Sequence, residues 1–221
     1  MRKPEFVTLT GPDDATDIHR MVAIQARAPV EWGILFSPKR QGEGRYPSFA
    51  FVHGLAGTGL RLSAHLCGAY AREAFATGGC AALGLFPPGT FSRVQVNGPL
   101  QDDIGTSVLA AASTARAAGA SRAVLQAPGG FPDDDRVDWL HDASGGRGKL
   151  PPSWPEAAPG MALVGYAGGL GPDNVAEHLP TIAAAAGRVP YAIDMETRLR
   201  TDDLFDLDAC EAVLRAVYGI G

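Results

Sequence analysis

Short apolar runs recur along the chain, and most are followed by a stretch with helical spacing. Phe6-Val7-Thr8-Leu9-Thr10 is the first run, stopped by Gly11 and Pro12. Asp13 or Asp14 is placed to cap a helix reaching Arg27, with Ile18, Met21, Val22 and Ile24 on one side, and Pro29 ends it. The pattern predicts further strands at Trp32–Phe36, Leu60–Leu66, Arg93–Asn97, Arg122–Ala127, Val137–Asp142, Ala162–Tyr166 and Tyr191–Asp194. Helices are predicted at Ser48–Leu55, Ala69–Ala76, Asp103–Ala118, Pro172–Ala186 and Leu207–Tyr218. The fifth and sixth strands are so close in sequence that only a turn or a degenerate helix fits between them.

Eight short strands alternating with helices imply a parallel sheet with the helices packed outside it. Closing that sheet on itself gives an α/β fold of the (β/α)8 TIM-barrel type, small, with a degenerate fifth helix, as one domain over residues 1–221. The competing architecture is an open doubly wound sheet. It predicts a glycine-rich turn after the first strand, and Gly11-Pro12-Asp13-Asp14 fits that poorly.

Composition narrows the class of partner. Hydrophobic residues make up 46% and charged residues 19% of the 221, a globular balance. A net charge of −5 without a block of Lys or Arg argues against nucleic acid, while leaving room for a local basic pocket. The 3 cysteines, Cys67, Cys80 and Cys210, are far apart and show no metal spacing. No signal-like or membrane-spanning run occurs, so the expectation is a cytoplasmic protein, monomer or homodimer, with no membrane partner.

In a barrel the chemistry sits where strands run into the loops that follow them. The polar residues at those ends are Thr8 and Thr10, Ser37 and Lys39, His65 and Cys67, Gln95 and Asn97, Gln126, Asp142, and Asp194 with Glu196. Residues two apart share a strand face, so His65 pairs with Cys67 and Gln95 with Asn97, both facing the barrel mouth. Two glycine clusters, Gly145-Gly146 and Gly168-Gly169, each follow an apolar run. Amides there, with the helix start after the second cluster, suit an anion such as a small phosphorylated substrate. The same glycines also serve as plain turns.

These motifs, taken together, resemble phosphoribosylanthranilate isomerase, the (β/α)8 enzyme of tryptophan biosynthesis. The resemblance is carried by W-G-I-L-F-S-P-K with Arg45, R-V-Q-V-N-G, D-A-S-G-G-R-G-K, Y-A-G-G-L-G-P-D-N-V and A-I-D-M-E-T-R. It implies an Amadori-type aldose–ketose isomerisation of a phosphoribosyl amine by general acid–base catalysis, without a cofactor or metal. Residue by residue, it implies Asp142 as general acid, Arg45 as partner of the anthranilate carboxylate, Asp194 near the ribose, and Gly168 and Gly169 as part of the phosphate grip.

The departures are specific. Where the family carries its cysteine base this chain has Thr10, which needs another base to activate it. Arg198 stands at a glycine position of the phosphate grip, Arg147 where a small residue is usual, and Asn97 in place of a histidine. Arg198 can replace amides by gripping phosphate through its fork, or it can fill the pocket. Cys67 is a candidate substitute base, with His65 two residues away to lower its pKa, or else a small buried hydrophobe. Glu196 is expected to pair with Arg198 or Arg200. Cys80, Cys210, His19, His53 and His178 read as structural or solvent-facing. The alternative to an isomerase is a non-catalytic or re-purposed barrel that binds another sugar phosphate or anionic metabolite. A Schiff-base lyase is disfavoured, because Lys39 and Lys149 fall in loops.

Overall fold

The computed structural model describes residues 2–220. Eight parallel strands hydrogen-bond in sequence order and close through β1 and β8. They are β1 (Phe6–Thr10), β2 (Val30–Phe36), β3 (Leu62–Cys67), β4 (Arg93–Asn97), β5 (Arg122–Ala127), β6 (Asp138–His141), β7 (Val164–Tyr166) and β8 (Tyr191–Met195). The helices are α1 (Ile18–Gln25), α2 (Phe49–Leu55), α3 (Ala69–Thr77), α4 (Ile104–Ala117), α5 (Val175–Ala186) and α6 (Leu207–Tyr218). No helix follows β5, as the close spacing requires, and none follows β6.

Alternation along each strand divides the protein into two environments. Outward side chains such as Trp32, Ile34, Phe36, Val94, Trp139 and Ile193 pack under the helices and form the main apolar core. The lumen is different. Its apolar content is a small cluster of Val124, Leu140 and Ala167, with Leu35 on the cavity wall and the Phe6 ring against the Arg93 guanidinium. Much of the rest of its filling is polar. On the floor, Arg93 donates to both oxygens of Glu31, at 3.0 and 2.7 Å, and to Asp138 at 3.3 Å. Arg122 donates to the other oxygen of Asp138, and Thr8 to Glu31. Burial would raise the pKa of Glu31, but the Arg93 guanidinium, with Arg61 in support, offsets that and the carboxyl is held below its usual value.

Most differences from the predicted elements lie at their ends. Asp17, not Asp13 or Asp14, caps α1, which stops at Gln25. Asp13 is buried and instead accepts from Arg200 and from the Phe205 amide, each at 2.9 Å. Strand β3 starts at Leu62 and runs on to Cys67, while β8 reaches Met195. Helix α5 starts at Val175, because Asn174 uses its side chain to bind Gly171 and Gly169 of the preceding loop. The sequence pattern gave no sign of the segment after β8. It folds as a 3-10 turn, Thr197–Leu199, followed by a small antiparallel hairpin of β9 (Arg200–Thr201) and β10 (Leu204–Phe205). Asp202 and Asp203 adopt positive φ at the tip of that hairpin.

Candidate active site

The C-terminal ends of the strands surround a cavity of about 660 Å³. Its wall includes His65 and Cys67 from β3, Gln95 and Asn97 from β4, Gln126 from β5 and Leu140 from β6. Asp142, Gly145 and Gly146 enter from the loop after β6, Gly168 and Gly169 from the loop after β7, and Asp194 and Arg198 from β8 and the turn beyond it. Asp142 and the glycine pair at 168 and 169 therefore share one rim and one space.

Asp142 is fixed by its own loop. Its Oδ1 accepts from the Ser144 amide at 3.0 Å and the Ser144 hydroxyl at 2.7 Å. Its Oδ2 accepts from the Gly146 amide at 2.7 Å. The amide of Gly146 is thus spent on the acid, and Gly145 donates to the carbonyl of Asp142. The first glycine cluster orients a carboxylate and leaves little for an external anion.

The second cluster differs. A Cβ on Gly168 would lie 2.9 Å from the Lys149 carbonyl and 3.4 Å from Asp142 Oδ1, and one on Gly169 would lie 2.7 Å from the Leu150 amide. Both have positive φ, so glycine is required there for conformation and for space. Among the described residues, no protein acceptor takes the N–H groups of Gly168, Gly169, Leu170, Thr197 or Arg198. These are free donors on the β7–β8 side of the cavity. Arg198 lays its stem over Gly171 and turns its guanidinium to Asp173 at 2.5 Å, so it stands beside that space without filling it.

Asp194 lies deep in the cavity, partly accessible from it. Its Oδ1 accepts from Thr10 Oγ1 at 2.7 Å. Burial pushes the carboxyl up to about 8, the Thr10 hydrogen bond opposes this, and the charges of Glu196, Glu31 and Asp142 add to it. Thr10 itself is buried beneath the cavity and is not part of its wall. It fits there because β2 carries Gly33 alongside: a Cβ on that residue would fall 2.2 Å from Thr10 Oγ1 and 2.9 Å from His65 Cε1.

The expected activation of Cys67 is not found. His65 Nδ1 is 3.3 Å from the Gln95 amide nitrogen, which also donates to Asn97 Oδ1 at 2.9 Å. Asn97 in turn donates to Cys67 Sγ at 3.5 Å. Burial depresses the pKa of His65 to about 4, so the ring is neutral and offers no positive charge to a thiolate. Burial likewise pushes the thiol of Cys67 up to about 11, with Asn97 opposing and Glu196 reinforcing the shift. With Gln95 as donor to Nδ1, the proton of His65 sits on Nε2, a buried atom without a protein partner.

Two arginines stand away from the wall. Arg45 donates to Glu196, a residue of the cavity wall, at 2.7 Å and lies 3.7 Å from Asp203, so it is held just behind that wall. Glu196 therefore pairs with Arg45 and not with Arg198 or Arg200, because the hairpin after β8 turns Arg200 inward to Asp13. Arg147 is exposed and absent from the wall, as is Lys39. Of the residues set aside as structural, Cys210 is buried and His19 and His53 are exposed. The sequence reading missed Tyr46 and Ser144. Gln126 was placed at a strand end but not among the binding residues. Gln126 alternates with Val124, and Ser144 follows Asp142 by two, so both carried a weak signal; Tyr46 carried none.

No family model matches the chain, and no curated protein matches it in sequence. Solved structures do match in fold. Phosphoribosyl anthranilate isomerase from Thermus thermophilus aligns with a TM-score of 0.60 at 14% identity, over 96% of this chain and 98% of that one. The enzyme from Pyrococcus furiosus aligns with a TM-score of 0.60 at 14% identity, over 97% and 98%. A phosphoribosyl anthranilate isomerase in complex with a reduced carboxyphenylamino-deoxyribulose phosphate aligns with a TM-score of 0.59 at 13% identity, over 96% and 98%. The chain is a closed eight-stranded barrel similar in fold, across nearly its full length, to phosphoribosyl anthranilate isomerases, at 13 to 14% identity to these three.

Proposed function

We propose that this barrel is an acid–base isomerase acting on a small phosphorylated sugar amine, with Asp142 and Asp194 as its proton-handling pair. The observation that carries the reading is that these two carboxyl groups share one cavity in contrasting surroundings. Asp194, raised to about 8, keeps its proton at neutral pH and supplies the general acid. Asp142, whose two oxygens accept three hydrogen bonds, is held as an acceptor and supplies the base. The family resemblance alone puts the acid at Asp142; the hydrogen bonding here favours the opposite division. Thr10 steadies Asp194 and needs no basicity of its own.

In an aldose–ketose shift of this type, Asp194 gives its proton to the sugar ring oxygen as the ring opens. Asp142 takes the proton from the adjacent carbon, and the double bond moves. The neutral His65 ring, its Nε2 buried beside Gly33, accepts from Gln95 and positions that amide at the cavity wall. The free amides of Gly168, Gly169, Leu170, Thr197 and Arg198 favour a phosphate at the β7–β8 side.

The test is turnover of a panel of phosphoribosyl amines, phosphoribosylanthranilate among them, by the wild type and by Asp142→Asn and Asp194→Asn. Each variant is expected to lose about 100- to 10,000-fold in kcat. The alternative, a non-catalytic binder, is favoured by the absence of a basic residue at position 10. Phosphate raising the melting temperature with no turnover of any panel member would establish it and overturn the isomerase.

A further inference from the structure

The free amides on the β7–β8 side come in two strips, Gly168 to Leu170 on the loop after β7 and Thr197 with Arg198 after β8. One ion pair bridges the two segments. Arg198 donates to Asp173 at 2.5 Å, and Asp173 belongs to the loop that carries the first strip. The pair crosses the rim, because Arg198 is on the cavity wall and Asp173 is not. Among the described residues, Arg198 is the one lysine or arginine on that wall.

The stem of Arg198 has a built seat. A Cβ on Gly171 would fall 2.5 Å from Arg198 Cβ and 2.7 Å from its Cδ, so the stem takes the space that a side chain at 171 would need. Gly171 lacks the positive φ of Gly168 and Gly169, so its missing side chain serves that stem and not the backbone conformation. Asn174 pins the same loop through Gly169 and Gly171. The far end of Arg198 is held less firmly. The side chains of Arg198 and Asp173 are 41% and 64% exposed, and a solvated pair of this kind adds little. A phosphate offers the same guanidinium fork more charge and more oxygens than one carboxylate does.

Resting on the phosphate reading above, we infer that Arg198 leaves Asp173 for the phosphate when substrate binds, and that Asp173 is a built-in competitor that sets the affinity of the site. The stem stays on Gly171, and the last torsions swing the guanidinium across the rim. Arg198 then adds charge to an anion that the amides of both strips orient.

The experiment is calorimetric titration of the full chain with inorganic phosphate, at neutral pH and fixed salt. The variants are Arg198→Met, Asp173→Asn, the two combined, and Arg116→Met, an exposed residue of α4 that controls for net charge. Arg198→Met is expected to bind phosphate at least about fivefold more weakly than wild type, and Asp173→Asn about threefold or more tighter. Arg116→Met should bind as wild type does. The loss caused by Arg198→Met should be larger when Asp173 is already Asn, since no pair then has to break; charges acting only at a distance give the same loss in both backgrounds. Phosphate binding that Arg198→Met leaves unchanged, that Asp173→Asn fails to tighten, or that shows strictly additive losses overturns the inference and leaves the phosphate reading standing. So does a loss in Arg116→Met as large as that in Arg198→Met. If neither the wild type nor any variant binds phosphate, both fall.

Discussion

Thr10 Oγ1 donates to Asp194 Oδ1 at 2.7 Å, across the junction where β1 and β8 close the barrel. The bond joins the position that lacks the expected cysteine to the carboxyl whose environment is most altered. On the acid–base reading, Thr10 is a positioning residue and the proton of consequence is the one on Asp194.

The pH dependence of stability should follow Asp194. Its folded pKa of about 8 lies above the ordinary 3.8. The contribution from this group is therefore fully present below the lower value and is lost progressively as pH rises toward the upper one, since the unfolded chain gives up its proton first. Asp194→Asn removes the dependence. Its melting temperature relative to wild type should be more favourable at about pH 9 than at about pH 5. An equal difference at both would show that Asp194 ionises normally.

The pH–rate profile carries the matching sign for catalysis. With Asp194 as the acid, kcat/KM falls as pH rises through about 8. Thr10→Val removes the donor that holds this pKa down, so the falling limb should move to higher pH, and Thr10→Ser should restore it. A limb that stays in place in Thr10→Val assigns it to some other group.

Gly33→Ala tests the space that admits Thr10. The new methyl would stand 2.2 Å from Thr10 Oγ1 and 2.9 Å from His65 Cε1, in a rigid strand. Overpacking of this kind costs about 1–3 kcal/mol. Urea unfolding should report that loss, and the pH–rate limb should shift in the same direction as in Thr10→Val.

Arg93→Met leaves Glu31 and Asp138 facing each other on the lumen floor without their shared guanidinium. Removing one partner of a buried ion network costs about 3–5 kcal/mol. Adding Glu31→Gln should recover part of it. Equilibrium unfolding of the single and double variants decides; additive losses would mean that the two residues are not coupled.

Gly169→Ala addresses the free amides. With φ at 66° and backbone within 2.7 Å of the added carbon, the loop has to move. The rise in melting temperature produced by inorganic phosphate in the wild type should be lost in this variant. Retention of the full rise would place the anion elsewhere.

Much of the barrel was legible because strand and helix leave different periodicities, and the period-two pairs His65–Cys67 and Gln95–Asn97 do face the cavity. Three features were hidden for physical reasons. Asp13, Asp14 and Asp17 are equivalent as sequence signals for a cap, and only the buried Arg200 decides which carboxylate is taken elsewhere. Strands of two residues, such as β9 and β10, leave no periodicity. The partner of Arg45 is fixed by a contact spanning 151 positions, and the proton on Asp194 by burial, neither of which local spacing encodes.

The division between an oily sleeve and a wet lumen has an evolutionary corollary. Since the main apolar core lies between the strands and their helices, residues lining the upper bore can be exchanged without unpicking the packing that keeps the fold closed. Such a body tolerates new tenants at its mouth, which fits a chain that shares the outline of an isomerase over nearly its full length while agreeing with it at only one position in seven.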